Sequence, residues 1–166
     1  MVKTYRPINN KNNLIYMTYI PKKFKLHEFL RSATAKTHKI ENFPTWEIVE
    51  KLRILAQRLD IYRNALDTPI IVRSGYRCPE LNVLVGGSKT SHHCKGDAAD
   101  LDIGTGGKED AIKLFRFIKR YNEEHNLAID QLFLEHNTST GSWWVHLGLN
   151  ADEPEKMRNQ YDIMYV

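Results

Sequence analysis

The sequence has 166 residues, 42% of them hydrophobic and 27% charged, which is typical of a globular protein and excludes a disordered or fibrous chain. The length predicts one domain, residues 1–166, because about 150 residues per domain is usual. No apolar run approaches the roughly 20 residues of a membrane-spanning helix, and two cysteines are too few for a disulfide scaffold. The net charge of +4 comes from basic residues scattered along the chain, so we expect no nucleic-acid partner.

The N-terminus contains a stretch that superficially resembles an export signal. Three basic residues precede the apolar residues 14–20. This stretch is short for a signal core, contains a threonine and two tyrosines, and is followed by Pro21-Lys22-Lys23 where small residues should mark a cleavage site. We therefore expect an ordinary strand or docking arm here, no cleaved signal, and synthesis in the cytoplasm.

Three segments are predicted to be helical. A short helix is expected over residues 24–37. The longest helix begins at Pro44-Thr45, with Thr45 as the N-cap, and a third helix runs from about Lys108 to Asn126. Apolar residues recur at helical intervals in both longer segments and are predicted to face the core: Ile48, Leu52, Leu55, Leu59 and Tyr62 in the longest helix, and Ile112, Phe115, Ile118 and Tyr121 in the third.

Alternating or β-branched residues predict four strands, over residues 69–73, 99–103, 129–135 and 143–149. The turn-rich residues 137–142 connect the last two strands, which we expect to form an antiparallel hairpin. Residues 163–166 are predicted to add an edge strand. Because helices come early, one helix is inserted and strands come late, the pattern predicts an α+β fold.

Residues 74–102 hold the densest set of side chains able to bind a metal, including two adjacent histidines and three aspartates. His93 and Asp100 form the best pair, although seven positions separate them. Gly96 permits a turn after His93, and the strand that follows can bring Asp100 back beside the imidazole. The spacing therefore favours a metal site that these two residues share.

A third ligand should come from a distant part of the chain, and His146 is the leading candidate. It lies in a predicted strand of otherwise apolar residues, where it shares a face with Trp144 and Gly148. Taken alone, His146 is more typical of a buried core or interface histidine. Together with His93 and Asp100, it is better interpreted as a metal ligand.

Two histidines and one aspartate supply three ligands and leave a fourth position for water, which is the pattern of a catalytic zinc site. Zinc lowers the pKa of that water to about 7. Glu135 ends an apolar strand and, in the expected hairpin, lies near His146, so it is the candidate general base. Without a zinc site, Glu135 would be interpreted as a surface residue. Arg77 follows the first predicted strand and is the candidate group that stabilises the oxyanion.

The spacing Ser91-x-His93-x-x-Gly96-x-Ala98-x-Asp100 resembles the first zinc motif of the zinc D-alanyl-D-alanine carboxypeptidase family, which shares its fold with the Hedgehog signalling domain. Other segments are similar to that family in the same chain order: Ser74-Gly75-Tyr76-Arg77, Leu81-Asn82, Gly86-Gly87, Asp130-Gln131-Leu132 and Trp144-Val145-His146. The resemblance covers about residues 24–149, and its N-terminal part is similar to a small branch found in bacteria and their phages.

The resemblance implies a Hedgehog/DD-peptidase-like fold, with an antiparallel sheet and helices packed on one side. It implies one zinc ion per chain held by His93, Asp100 and His146, with Arg77 and Ser91 contacting the substrate. The implied substrate is the stem peptide of peptidoglycan, cleaved as by a D-Ala-D-Ala carboxypeptidase or an L-Ala-D-Glu endopeptidase. We expect a monomer that acts at the cell wall after release or after export by another route.

The sequence departs from the family pattern just before the last histidine. Many members carry an acidic residue there, whereas residues 142–145 contain none. The general base is then Glu135 or is missing, and in the second case the chain would be a catalytically inactive zinc-bearing module that binds the cell wall or a partner. A non-haem iron oxygenase also uses two histidines and a carboxylate, but such enzymes usually bring them from one short segment, a spacing absent here.

Five further residues near the motifs are given other roles. His92 should point away from His93 on an extended backbone and form a wall of the site. Asp102 either orients a ligand histidine or is simply solvated. Cys94, Asp130 and His136 are interpreted as an idle thiol, a structural hydrogen-bond acceptor and a structural residue that faces away from the site.

Overall fold

The structure is a computed structural model that describes residues 21–166. The stretch of residues 14–20, for which we expect no export signal, lies outside the described part of the chain. None of the helices within residues 21–166 is long and apolar enough to cross a membrane.

The described chain contains helices and strands in a mixed order, which confirms the α+β class. In chain order they are α1 (Leu26–Leu30), α2 (Ala33–His38), α3 (Trp46–Leu66), β1 (Ile70–Ser74), α4 (Pro79–Leu84), α5 (His92–Lys95), β2 (Ala98–Ile103), α6 (Lys108–His125), β3 (Gln131–His136), β4 (Trp143–Gly148), a 3₁₀ turn (Pro154–Lys156) and β5 (Gln160–Tyr165). The four strands and the hairpin predicted from the sequence are all present.

The five strands form one sheet in the order β1-β2-β4-β3-β5. The first three pairings are antiparallel, but β5 pairs with β3 in parallel, so the prediction of an antiparallel sheet is wrong at this edge. The reason lies in the connection after β4. Since Gly148 at the end of β4 lies opposite Gln131 at the start of β3, and β5 also begins beside Gln131, β5 must run in the same direction as β3.

The predicted helix over residues 24–37 is instead two short helices separated at Arg31 and Ser32. Arg31 adopts an extended conformation, and the Ser32 hydroxyl accepts a hydrogen bond from the backbone N–H of Ala35 at the start of α2. A serine that can cap a new helix offers the backbone an alternative to continuing the old one. The first helix therefore ends at Leu30, where it was predicted to continue.

The two long helices agree with the prediction in their bounds, and α6 differs in its buried face. Thr45 precedes α3 in the N-cap position, although its side chain makes no capping hydrogen bond. On α6 the fully buried positions are Ala111, Leu114, Ile118 and Asn122, whereas Ile112, Phe115 and Tyr121 are only half-buried. The centre of the buried face thus contains a small residue and a polar one, and the larger apolar residues lie at its margins. A prediction based on apolar residues alone therefore placed the buried face incorrectly.

Alternation along the strands gives the sheet one face in the core and one face toward a cleft. The core face is formed by Leu101, Leu132, Leu134, Val145 and Leu147, which join residues of α3 and α6 in a single hydrophobic core. On the opposite face lie Asp100, Phe133, Glu135 and His146, which line the cleft. The prediction that helices pack on one side holds for the two long helices, while the short α5 contributes His93 to the cleft face.

Candidate metal centre and active site

Three elements bring the candidate metal ligands together: α5 carries His93, β2 carries Asp100 and β4 carries His146. Asp100 and His146 lie directly opposite each other in the β2–β4 pairing. Gly96 ends α5 with a φ of +76°, a conformation that favours glycine, and so lets the chain turn from His93 into β2. The sequence-predicted turn and strand therefore place these side chains on one face.

The three side chains converge on one small volume. His93 Nε2 and His146 Nδ1 lie 3.2 Å and 3.0 Å from the same carboxylate oxygen, Asp100 Oδ1. The two imidazole nitrogens are 3.2 Å apart. All three residues are buried, with exposed fractions of 2%, 9% and 8% for His93, Asp100 and His146. They form a group whose ligand atoms all lie within 4.8 Å of one another.

The hydrogen bonding of His93 shows that this group suits a metal ion. Its Nδ1 lies 2.7 Å from the carbonyl oxygen of Gly75, which can only accept, so Nδ1 carries the proton and Nε2 presents a lone pair. That lone pair faces a carboxylate oxygen, which is another acceptor. A divalent cation between them removes this repulsion, and two imidazoles with one carboxylate are a donor set that zinc accepts.

The ionisation of Asp100 also fits a ligand role. Burial, the largest influence, raises the pKa of its carboxyl group, but when the imidazoles of His93 and His146 are protonated, their attraction and hydrogen bonds together outweigh burial. The pKa of Asp100 is therefore held well below its usual range. A carboxylate must be ionised to bind a metal, and a lowered pKa favours that form.

A cleft of about 690 Å³ surrounds the metal group. The other candidate residues from the sequence, Arg77, Ser91 and Glu135, all line this same cleft. Ser91 is the N-cap of α5, and its hydroxyl accepts a hydrogen bond from the backbone N–H of His93 at 3.3 Å. The hydroxyl proton of Ser91 remains free to be donated into the cleft.

Arg77 lies at the edge of the metal group. Its Nη1 is 3.7 Å from Asp100 Oδ2 and donates to the Ser74 hydroxyl at 3.3 Å. Its backbone N–H donates to the carbonyl of His93, which ties the loop after β1 to α5. The buried Nε of Arg77 has no hydrogen-bond partner within residues 21–166. The guanidinium thus lines the cleft without using all of its donors.

Glu135 lies one step along the sheet from His146. It is opposite Trp144 in the β3–β4 pairing, while His146 is opposite Phe133. Burial, followed by repulsion from Asp100, raises the pKa of Glu135, and His146, the Trp144 indole and Arg77 offset part of this rise. Glu135 is thus a half-buried carboxylate with a raised pKa that lines the same cleft as the metal group.

A comparison with protein families agrees with this geometry. A family model described as Peptidase M15 matches residues 22–141, which is most of the chain. The protein belongs to the Peptidase M15 family. No curated protein matches the sequence. The match confirms the zinc carboxypeptidase-type family predicted from the sequence, and it implies a peptidase.

The matched range of this M15 peptidase contains His93, Asp100 and Glu135 but ends before His146. The place of His146 in the metal group therefore rests on the geometry of the sheet, which is an independent observation. The family is zinc-dependent, which agrees with the donor set.

His92 is a wall of the site in this M15 chain, as predicted, but its backbone and its direction differ from the prediction. It begins the short helix α5 rather than an extended segment, and its ring faces the cleft. Its Nδ1 lies 2.6 Å from Gln131 Oε1, and its Nε2 lies 3.3 Å from Asp130 Oδ2. Asp130 in turn accepts two hydrogen bonds from the Arg158 guanidinium, at 2.9 and 2.6 Å. His92 is thus a wall of the cleft, held by residues from β3 and from the segment before β5.

The remaining residues lie outside the metal group. Asp102 pairs with Arg73 at 3.1 Å, and burial, offset by Arg73, raises its pKa to about 6, so it is neither freely solvated nor bonded to a ligand histidine. Cys94 is half-buried, and burial raises the pKa of its thiol. His136 stacks on Trp143, with ring centres 4.1 Å apart, on the opposite face of β3 from Glu135.

Replacing Gly75 with alanine should weaken both the fold and the metal site. A Cβ at this position would lie 2.5 Å from the Phe29 carbonyl oxygen and 2.6 Å from the Phe29 Cα, so the backbone must move. The carbonyl that holds the His93 ring moves with it. We expect a loss of about 1–3 kcal/mol in the free energy of unfolding, measured in urea, and about 10- to 100-fold weaker zinc binding.

Gly107→Ala is the matched control for this change. Gly107 has a φ of −86°, and a Cβ there would meet only Thr105 Oγ1 at 3.8 Å. It should leave zinc binding unchanged. If Gly75→Ala bound zinc as tightly as the parent protein, the carbonyl of Gly75 would not orient His93.

Proposed function

We propose that the protein is a zinc-dependent peptidase that hydrolyses a peptide bond in the stem peptide of peptidoglycan, either as a D-Ala-D-Ala carboxypeptidase or as an L-Ala-D-Glu endopeptidase. The observation that carries this proposal is the convergence of His93, Asp100 and His146 within a cleft that Glu135 and Arg77 also line. The proposal includes a Hedgehog/DD-peptidase-like fold, a single domain and a monomer.

The metal would be held by His93 Nε2, His146 Nδ1 and the Asp100 carboxylate, one ion per chain. When bound, zinc lowers the pKa of a water molecule to about 7, so that hydroxide is available at neutral pH. The Gly75 carbonyl keeps the His93 ring in the tautomer that this role requires.

The other cleft residues move protons and stabilise charge. Glu135 takes a proton from the water that attacks the scissile carbonyl carbon and passes it to the departing amine as the C–N bond breaks. Arg77, whose side chain lines the cleft beside the metal group, donates from its guanidinium to the carbonyl oxygen as it becomes negative. Ser91 donates its hydroxyl proton to a substrate carbonyl and so helps to fix the position of the scissile bond.

The test is mass spectrometry of products from a synthetic pentapeptide stem, L-Ala-D-Glu-diamino acid-D-Ala-D-Ala. With one equivalent of zinc we expect either free D-Ala or free L-Ala, and the identity of this product decides between the two activities. A chelator should stop the release and added zinc should restore it. Intact peptide at stoichiometric zinc would refute the enzymatic proposal.

A second candidate is a zinc-bearing binding module without turnover, and the lack of an acid in residues 142–145 favours it. It predicts that the zinc-loaded protein binds the stem peptide in calorimetry while all the peptide stays intact. We further propose that the protein is made in the cytoplasm and reaches the cell wall by release or by another export route. Fractionation of producing cells with an antibody against the protein tests that location.

A further inference from the structure

Within residues 21–166, some of the charged side chains that line the cleft have a partner of opposite charge and others do not. The cations are Arg77, Lys95, Lys156 and Arg158, and the anions are Asp100, Asp130 and Glu135. Asp100 lies within ion-pair distance of the two metal-site histidines, and Asp130 forms an ion pair with Arg158. Apart from Glu135, each acid of the cleft is therefore already committed to a partner in the protein.

The register of the sheet places the cleft residues at two separate ends. On β3, Glu135 lies opposite Trp144, Phe133 lies opposite His146, and Gln131 lies opposite Gly148. At about 3.3 Å per residue, the Cα atoms of Glu135 and Gln131 are roughly 13 Å apart, with the metal group between them. The candidate base thus lies at one end of the cleft, and Gln131 lies at the other.

Lys95 belongs to the Gln131 end. His92 lies three residues before it on α5 and is hydrogen-bonded to Gln131. The Nδ1 atom of His92 would also lie 3.5 Å from a Cβ placed on Gly148. Lys95 itself is exposed and lines the cleft. No carboxylate of the described chain lies within ion-pair distance of Lys95.

Two more cations line the cleft from the segment between β4 and β5, beyond the range matched by the family. Arg158 is held against Asp130, which places it at the Gln131 end, and Lys156 is paired with Glu153. Each of these two cations thus already has an acidic partner, which reduces its capacity to bind a further anion. Lys95 is left as the cation at this end that has no acid of its own.

We propose that Lys95 binds a carboxylate of the substrate at the Gln131 end of the cleft, so that the enzyme prefers stem peptides with a free carboxylate near the scissile bond over their amidated counterparts. This inference rests on the proposed peptidase function and adds a substrate class to it. A carboxylate and an ammonium form a charge-assisted hydrogen bond, and amidation removes that charge with almost no change in size.

Two substrate groups could supply this carboxylate, the C-terminus and the α-carboxylate of the D-glutamate residue. The experiment therefore compares three synthetic stem peptides: one with both groups free, one with a C-terminal amide and one with D-isoglutamine in place of D-glutamate. We expect one of the two amides to lower kcat/KM by about tenfold, mainly through KM. The amide that does so identifies the group.

Variants of the protein assign the effect to Lys95. In Lys95→Met the ratio of kcat/KM for the free acid to that for the amide should fall to about 1. Lys95→Arg keeps the charge and should retain most of the preference. Lys89→Met is the matched control, because Lys89 is an exposed lysine of the preceding loop that does not line the cleft. It should keep the full preference.

Equal cleavage of all three peptides by the parent protein, or an undiminished preference in Lys95→Met, would overturn the inference and leave the peptidase function standing. If no peptide is cleaved, the proposed function fails, and calorimetric titration of the same peptides into the zinc-loaded protein decides the inference. Tenfold weaker binding of one amide, abolished in Lys95→Met, supports a carboxylate site. Equal binding of all three peptides rejects it.

Discussion

Replacing His146 with alanine is expected to remove zinc binding and peptidase activity together. The substitution deletes one of three ligand atoms and leaves two, too few for the three-residue site that a catalytic zinc uses. Changes to groups that only support a ligand already cost about 10- to 100-fold in metal affinity or activity, so loss of the ligand itself should cost more than about 100-fold.

Zinc content by mass spectrometry and thermal unfolding with and without zinc would measure this effect. In the parent protein, zinc at about 100 times its dissociation constant should add about 2.7 kcal/mol to the free energy of unfolding, and this gain should vanish in His146→Ala. His38→Ala is the matched control, because His38 is exposed at the end of α2. Full zinc content in His146→Ala would remove His146 from the metal site.

The metal group was predictable because its members follow local rules. His93 and Asp100 are close in the chain, and Gly96 with the small Ala98 and Ala99 signals a turn into a tightly packed strand. His146 follows from strand alternation, which places it on the face of Gly148 and away from Val145. The structure brings these three side chains together, while their chemical roles stay predictions.

Features that depend on long-range connections or very short elements were not predictable. The four-residue helix that holds His92 is too short to show a helical period, so an extended backbone was expected there. No local pattern indicates that the chain after β4 crosses to the far side of β3, which sets the direction of β5 and brings Arg158 to Asp130. The wall of the cleft that this segment forms was therefore missed.

Replacing Glu135 with glutamine is expected to lower kcat by about 10²- to 10⁴-fold while zinc remains bound, because a positioned general base contributes a factor of this size. Glutamine has nearly the same shape as glutamate, and its side-chain amide cannot take up a proton from water at neutral pH. The metal ligands lie on β2, β4 and α5 and are unchanged by this substitution on β3. Peptide cleavage and zinc content measured on the same sample separate the two effects.

The outcome for Glu135 decides how the missing acid before His146 is to be understood. Glu135 is the only acid lining the cleft, within residues 21–166, that neither belongs to the metal group nor pairs with a cation. If Glu135→Gln is inactive and the exposed control Glu41→Gln is fully active, Glu135 does the work of the acid that residues 142–145 lack. If Glu135→Gln cleaves the stem peptide as fast as the parent protein, another group takes the proton. If the parent protein itself binds zinc and peptide without cleaving the peptide, then Glu135 lies where a base would lie but does not act as one. The chain is then a binding module.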